Sequence, residues 1–253
     1  MPQLNLVVLD MAGTTVSDGG LVEDAFAAAA RRLGGDPAPM LGHVRATMGE
    51  SKISVFRHLF GGDEAMARRA STAFEEAYAE RVAAGAVTPV PGAADTVRAL
   101  REAGRTVVLT TGFARVTQDA LLDALGWRDL ADLALCPADA GGRGRPHPDL
   151  VLTALLRTGA ADDVRQVAVA GDTAYDMLSG VRAGAGLVAG VLTGAHGRAR
   201  LTESGATHVL DSVAGLPALI EAVEAVEAVE APDTGEPGVR EPGAGEPDAG
   251  EAR

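Results

Sequence analysis

Four short signals in this chain carry side chains that could perform phosphoryl transfer. Asp10 closes an apolar run in Asp10-Met11-Ala12-Gly13-Thr14, and Thr110 and Thr111 precede Gly112. Arg145 lies in the glycine-rich Gly141-Gly142-Arg143-Gly144-Arg145-Pro146. Asp172 follows Gly171 in Gly171-Asp172-Thr173-Ala174-Tyr175-Asp176. A carboxylate is a competent covalent nucleophile toward phosphorus, giving an acyl phosphate that water then hydrolyses. Two or three carboxylates with a backbone carbonyl make an oxygen site for Mg²⁺, which offsets repulsion between Asp10 and a substrate dianion. A threonine hydroxyl, the N–H groups of a glycine turn and a cation can hold the transferring oxygens. Asp176, four residues after Asp172 and on the first turn of the next helix, can add to the metal shell. Each signal alone reads as a turn or a helix cap. Together they point to a site.

The elements that must position these residues alternate in type. Leu4–Leu9 is a continuous apolar run of the kind a buried parallel strand shows, followed by a loop-like stretch from Met11 to Gly20. Residues 21–84 read as helices (Leu21–Leu33, Leu41–Met48, Ser51–Phe60 and Asp63–Ala84), ended by Pro89 and Pro91. Helix Ala93–Ala103 leads to strand Thr106–Thr110, helix Ala114–Leu125 and strand Leu133–Leu135. Helix Pro148–Arg157, strand Gln166–Ala170, helix Ala174–Ala183 and strand Leu187–Val191 follow. A short helix at Arg198–Ser204 and strand Thr207–Leu210 come next. Such alternation predicts an α/β fold: a doubly wound, Rossmann-like parallel sheet. The four signals fall at carboxyl ends of its strands, where such sheets bind ligands. The expected organisation is an α/β core of residues 1–16 and 86–222, a helical cap of 17–85 inserted after the first strand, and an acidic tail of 223–253. The Glu-Ala-Val repeats of Glu221–Glu230 extend the last helix, and residues 231–253 are expected to be disordered.

Composition narrows the function. The net charge of −13 is concentrated in residues 221–253, which hold ten acidic residues against Arg240 and Arg253; only −5 remains elsewhere. No basic stripe suggests nucleic acid, and no run of about 18 apolar residues suggests a membrane span. The first ten residues lack the pattern of a secretory signal, and a single cysteine, Cys136, fits a reducing cytoplasm as a small buried hydrophobe. His43, His147, His196 and His208 show no metal-ligand spacing and read as structural, as does Trp127. Of 22 basic residues only Lys52 is a lysine.

From Leu4 to Ile220 these motifs resemble the haloacid dehalogenase superfamily, and Asp10-Met11-Ala12-Gly13-Thr14 with Gly144-Arg145-Pro146 resembles its phosphonoacetaldehyde hydrolase branch. The resemblance implies that Asp10 is the nucleophile, that Asp10, the Ala12 carbonyl, Asp172 and Asp176 bind Mg²⁺, and that Thr111, Gly112 and Arg145 hold the phosphoryl group. It also allows a homodimer. Ordinary phosphatases of the superfamily carry a second aspartate where this chain has Ala12, an acid that protonates the leaving alkoxide. Cleavage of a C–P bond beside an imine tolerates that loss, because the departing carbon becomes an enamine. Lys52, in Met48-Gly49-Glu50-Ser51-Lys52, resembles the branch's imine-forming lysine, a role arginine cannot take. Desolvation under a closed cap would favour its neutral form. The chain departs from the branch at Val55 (a histidine there, with His58 three residues further on), at Phe113 (a tyrosine) and at His147-Pro148-Asp149, which lacks a tryptophan. The expected substrate is phosphonoacetaldehyde or a related 2-oxoalkylphosphonate. The alternatives are a phosphomonoesterase of the phosphoglycolate phosphatase type and, behind it, a non-catalytic module that binds a phosphorylated metabolite.

Overall fold

The computed structural model describes residues 3–17 and 19–230. The tail expected for 231–253 lies outside them. In chain order the elements are β1 (Leu6–Asp10), β2 (Val16–Ser17), α1 (Leu21–Arg32), α2 (Ala38–Ala46), α3 (Lys52–Leu59), α4 (Glu64–Ala83) and β3 (Thr88–Pro89). Then come α5 (Ala93–Glu102), β4 (Thr106–Thr110), α6 (Arg115–Leu125), β5 (Leu133–Leu135), α7 (Asp149–Thr158), β6 (Val167–Gly171) and α8 (Ala174–Ala183). β7 (Leu187–Val191), α9 (Arg198–Glu203), β8 (His208–Leu210) and α10 (Leu216–Glu230) complete the described chain.

The six longer strands form one parallel sheet in the order β5-β4-β1-β6-β7-β8. Both faces are covered, which explains why the strands read as unbroken apolar runs. Val7, Leu9, Val107, Leu109, Ala168 and Ala170 face one core; Leu6, Val8, Val108, Val167 and Val169 face the other, against Leu150, Val151 and Ala154 of α7. From β1 the chain steps outward to β4 and β5, then crosses back to β6 on the other side. The order therefore reverses beside β1, and the crevice that this opens lies at its carboxyl end.

One difference from the sequence reading concerns β2. The stretch from Met11 to Gly20 is not all loop: Val16 and Ser17 pair antiparallel with Pro89 and Thr88. Two residues per strand are too few for any periodicity to show. α10 runs on to Glu230, as the Glu-Ala-Val repeats predict, and Glu224 is part of the packed fold. Its carboxylate accepts from the Leu4 N–H at 2.8 Å and pairs with Arg105 at 2.7 Å.

Between the two short strands stand α1–α4. α4 takes Asp63 as its cap, whose side chain accepts from the Met66 N–H, and buries Ala67, Ala70, Phe74, Ala77 and Tyr78 at helical spacing. Phe26 of α1, Phe56 of α3 and Phe74 meet there, with ring centroids 4.7–6.3 Å apart. Among the described residues no helix is long and apolar enough to cross a membrane.

Candidate active site

Parallel pairing sets Asp10 beside Thr110 at the ends of β1 and β4, and Leu9 beside Ala170, so that Asp172 emerges next to Asp10. Asp10, Asp172 and Asp176 are all buried, and each offers a carboxylate oxygen within 4.8 Å of the other two. Arg145, itself 6% exposed, reaches them from the loop before α7: Nη1 lies 2.5 Å from Asp10 Oδ1 and 2.8 Å from Asp176 Oδ1. Its Nη2 donates to Thr110 Oγ1 at 2.8 Å. The guanidinium is thus engaged with carboxylates as well as facing the cavity where the sequence expects phosphoryl oxygens.

Asp176 is the third residue of α8 and part of its cap. The Thr173 N–H and hydroxyl both donate to Asp176 Oδ2, and the Asp176 N–H returns to Thr173 Oγ1. Asp172 Oδ1 accepts from Thr14 Oγ1 at 3.2 Å and Oδ2 from the Ala195 N–H at 2.8 Å. Gly13, at φ 91°, must be glycine, because a Cβ there would overlap the Asp172 carboxylate.

Three carboxylates against one guanidinium leave an uncompensated negative cluster away from water. Burial, then the charges of Asp10 and Asp176, hold the Asp172 carboxyl well above the usual range. Burial also pushes Asp176 up to about 6, with Arg145 opposing and Asp10 reinforcing the shift. Hard oxygen ligands with surplus negative charge are what a divalent cation requires, so this set could hold one. Both carboxyls bind protons more tightly folded than unfolded, so metal-free protein is expected to lose stability as pH rises from 3.8 through about 6. Asp176→Asn should flatten that slope, as read by melting temperatures in EDTA. His43 and His196, whose pKa values burial lowers, act in the opposite sense but equally in both proteins. Identical pH profiles for the two would contradict the assignment.

The carboxylates open into a cavity of about 260 Å³ that is also lined by Ala12, Met48, Lys52, Thr111, Gly112, Phe113 and the Thr193-Gly194-Ala195 loop. Thr111 Oγ1 accepts from the Phe113 N–H at 3.2 Å, which orients its O–H to donate elsewhere. Lys52, the first residue of α3 and 7% exposed, brings its ammonium over three phenyl rings: 5.0 Å from the Phe113 centroid and 6.0 Å from those of Phe26 and Phe74. Its own N–H meets the Gly112 carbonyl at 3.4 Å. The turn before it is clamped against the sheet. A Cβ on Gly112 would come within 2.9 Å of the Glu50 carbonyl, and one on Gly49 would strike Thr173.

The structure brings together Asp10, Ala12, Lys52, Thr111, Gly112, Arg145 and Asp172 around one cavity, with Asp176 behind Arg145. Val55 is buried in the core, and His58 stacks on His43 with centroids 4.0 Å apart, neither of them lining the cavity. His196 accepts from the Ala174 N–H at 2.8 Å, a structural role. Cys136 and Trp127 are buried, and burial pushes the Cys136 thiol up. Thr14, Thr193–Ala195 and the Phe26 and Phe74 rings beside the Lys52 ammonium are not among the sequence candidates. The Thr-Gly pair after β7 repeats the signal of Thr111-Gly112 and was there to be read. Phe26 and Phe74 gave no signal, since at helical spacing they read as core.

The structure is a doubly wound α/β protein whose buried carboxylate cluster stands at the switch point, where such sheets bind ligands. The family profile of haloacid dehalogenase-like hydrolases matches residues 4–184, and the chain belongs to that family. It is 30% identical over 194 residues to "Probable phosphatase IndB" of Dickeya dadantii, covering 76% of this chain and 82% of that protein. It is 25% identical to phosphonoacetaldehyde hydrolase of Salmonella paratyphi C, covering 87% and 95% of the two chains. Among solved structures, a phosphonoacetaldehyde hydrolase-like protein of Oleispira antarctica superposes with a TM-score of 0.78 at 24% identity, over 89% of this chain and 94% of the other.

Proposed function

We propose that the chain hydrolyses the C–P bond of phosphonoacetaldehyde or a close 2-oxoalkylphosphonate, with residues 17–85 as a cap over the site. What carries this reading is that the chain's one lysine and Asp10 line the same cavity. Relatives that bear the name phosphonoacetaldehyde hydrolase support it. Lys52 Nζ adds to the substrate carbonyl and water departs, leaving an iminium. The rings that face the ammonium face this cation equally, so positive charge stays where the site accommodates it. Asp10 attacks phosphorus, and the C–P electron pair moves through the methylene carbon toward the iminium nitrogen, giving an enamine. No acid is needed at Ala12. Protonation of that carbon and hydrolysis free the aldehyde and Lys52, and a second water splits the aspartyl phosphate. Thr111 O–H, the Gly112 N–H and Arg145 hold the phosphoryl oxygens. Mg²⁺, held by Asp10, Asp172 and Asp176 with the Ala12 carbonyl, would supply positive charge against those oxygens.

The test is to add phosphonoacetaldehyde and Mg²⁺, reduce with borohydride and read the intact mass. A single adduct on Lys52 is the expected result. Phosphate release from simple esters without any adduct would sink the reading.

A phosphomonoesterase is the second reading, favoured by the relative named a probable phosphatase. Under the leading proposal the chain hydrolyses phosphate esters poorly for want of a leaving-group acid. Ala12→Asp is then expected to raise ester hydrolysis roughly 10²-fold, the usual contribution of general acid catalysis. Wild-type ester turnover already at the level of the variant would favour the phosphatase.

A further inference from the structure

A second cavity, of about 230 Å³, lies on the other side of Lys52. It is lined by Ile53, Ser71, Glu75, Ala114, Pro137 and Ala138, and it shares Lys52, Gly112 and Phe113 with the first. It sits between α3 and α4 on one side and the start of α6 with the Pro137–Ala140 turn on the other. Its wall is mainly carbon. The Glu75 carboxylate is turned to the protein, accepting from Thr117 Oγ1 and from the Ala114 N–H at 3.4 Å, and burial pushes its pKa up. A water occupies about 30 Å³ of liquid, so the space holds several non-hydrogen atoms.

We infer that this cavity receives the second substituent of the substrate carbonyl, so that the enzyme accepts 2-oxoalkylphosphonates R–CO–CH₂–PO₃²⁻ in which R is a short uncharged alkyl group. The inference rests on the imine reading of Lys52. Once Nζ is bonded to the carbonyl carbon, that carbon is held near Phe113, a residue that lines both cavities. It carries two further groups: the CH₂–P arm is drawn toward Asp10, and R is left to point away from it. In an aldehyde R is hydrogen and the second cavity goes unused; in a ketone it is the neighbouring space that shares those walls. Glu75 and Arg115 both line it, each engaged by a protein partner, and the mainly carbon wall suits an R without charge. The bonds balance as for the aldehyde: the C–P pair becomes the enamine, and protonation of its carbon gives an iminium; one water, replacing that lost on condensation, frees the methyl ketone R–CO–CH₃, and one more splits the aspartyl phosphate.

The experiment compares phosphonoacetaldehyde with 2-oxopropyl-, 2-oxobutyl- and 2-oxopentylphosphonate by phosphate release and by borohydride trapping. Wild type is set against Ala138→Phe and Ser71→Phe, two partly exposed positions where a ring would occupy the cavity without entering the core. In the wild type kcat/KM is expected to rise along the ketone series by roughly tenfold per methylene seated. In the variants that rise should vanish while the aldehyde's turnover and its Lys52 adduct stay unchanged. If kcat/KM falls along the ketone series while the aldehyde is turned over through a Lys52 adduct, the subsite is refuted and the imine reading stands. If no carbonyl compound is trapped and only esters release phosphate, both fall together.

Discussion

On the proposed mechanism Asp10→Asn is expected to lose at least roughly 10⁴-fold in turnover, because removing the covalent nucleophile would leave only binding and electrostatics. The same change should cost little stability. Arg145 loses one carboxylate, but it keeps Asp176 at 2.8 Å and the Thr110 hydroxyl, so it is not left as a bare buried charge. Asp172 meanwhile loses one of the charges that hold its carboxyl up. These effects oppose each other, and melting curves should differ by only a few degrees while phosphate release collapses. Stabilisation by added Mg²⁺ should shrink, since one ligand carries no charge. Retention of activity within tenfold would remove Asp10 from the mechanism; a collapse of both fold and activity would show that its structural pairing dominates.

Lys52→Arg separates imine chemistry from positive charge. Arginine keeps a cation over Phe26, Phe74 and Phe113, and guanidinium stacks well on such rings, so α1–α4 should remain folded. It forms no imine. Phosphonoacetaldehyde cleavage is therefore expected to fall by roughly 10³-fold or more, with the borohydride adduct gone, while any residual hydrolysis of phosphate esters persists. Cleavage preserved within tenfold would mean that Lys52 acts by charge alone.

Much of this site could be read before the structure. β4, β5, α8 and β7 begin and end where the apolar runs and caps do. This works because a doubly covered parallel sheet makes each strand a continuous hydrophobic segment and delivers its ends to one edge. Asp10, Thr111 and Asp172 inherit their position from that rule. What was not legible depends on contacts between distant segments. No local pattern distinguishes Phe26, whose ring faces the Lys52 ammonium, from Phe56 as core. Arg145 reads as an anion binder, but its bonds to Asp10 and Asp176 are a matter of loop geometry. Asp176 reads as a metal ligand, and it also caps α8 through Thr173, two duties for one side chain that spacing alone does not separate.

The short ladder of Val16–Ser17 with Thr88–Pro89 bears on how the chain reaches this state. The sheet's first pairing, Leu6 with Thr106, joins segments far apart in sequence, and closing so long a loop costs chain entropy. α1–α4 can assemble from neighbours, α1 against α4 and α3 against α4, before any strand has paired. Once they do, residues 17 and 88 are already side by side, and the search that β1 and β4 face is over a much shorter effective contour. If these helices do pack first, α1–α4 with this ladder would serve as a folding clamp, turning a remote contact into a near one.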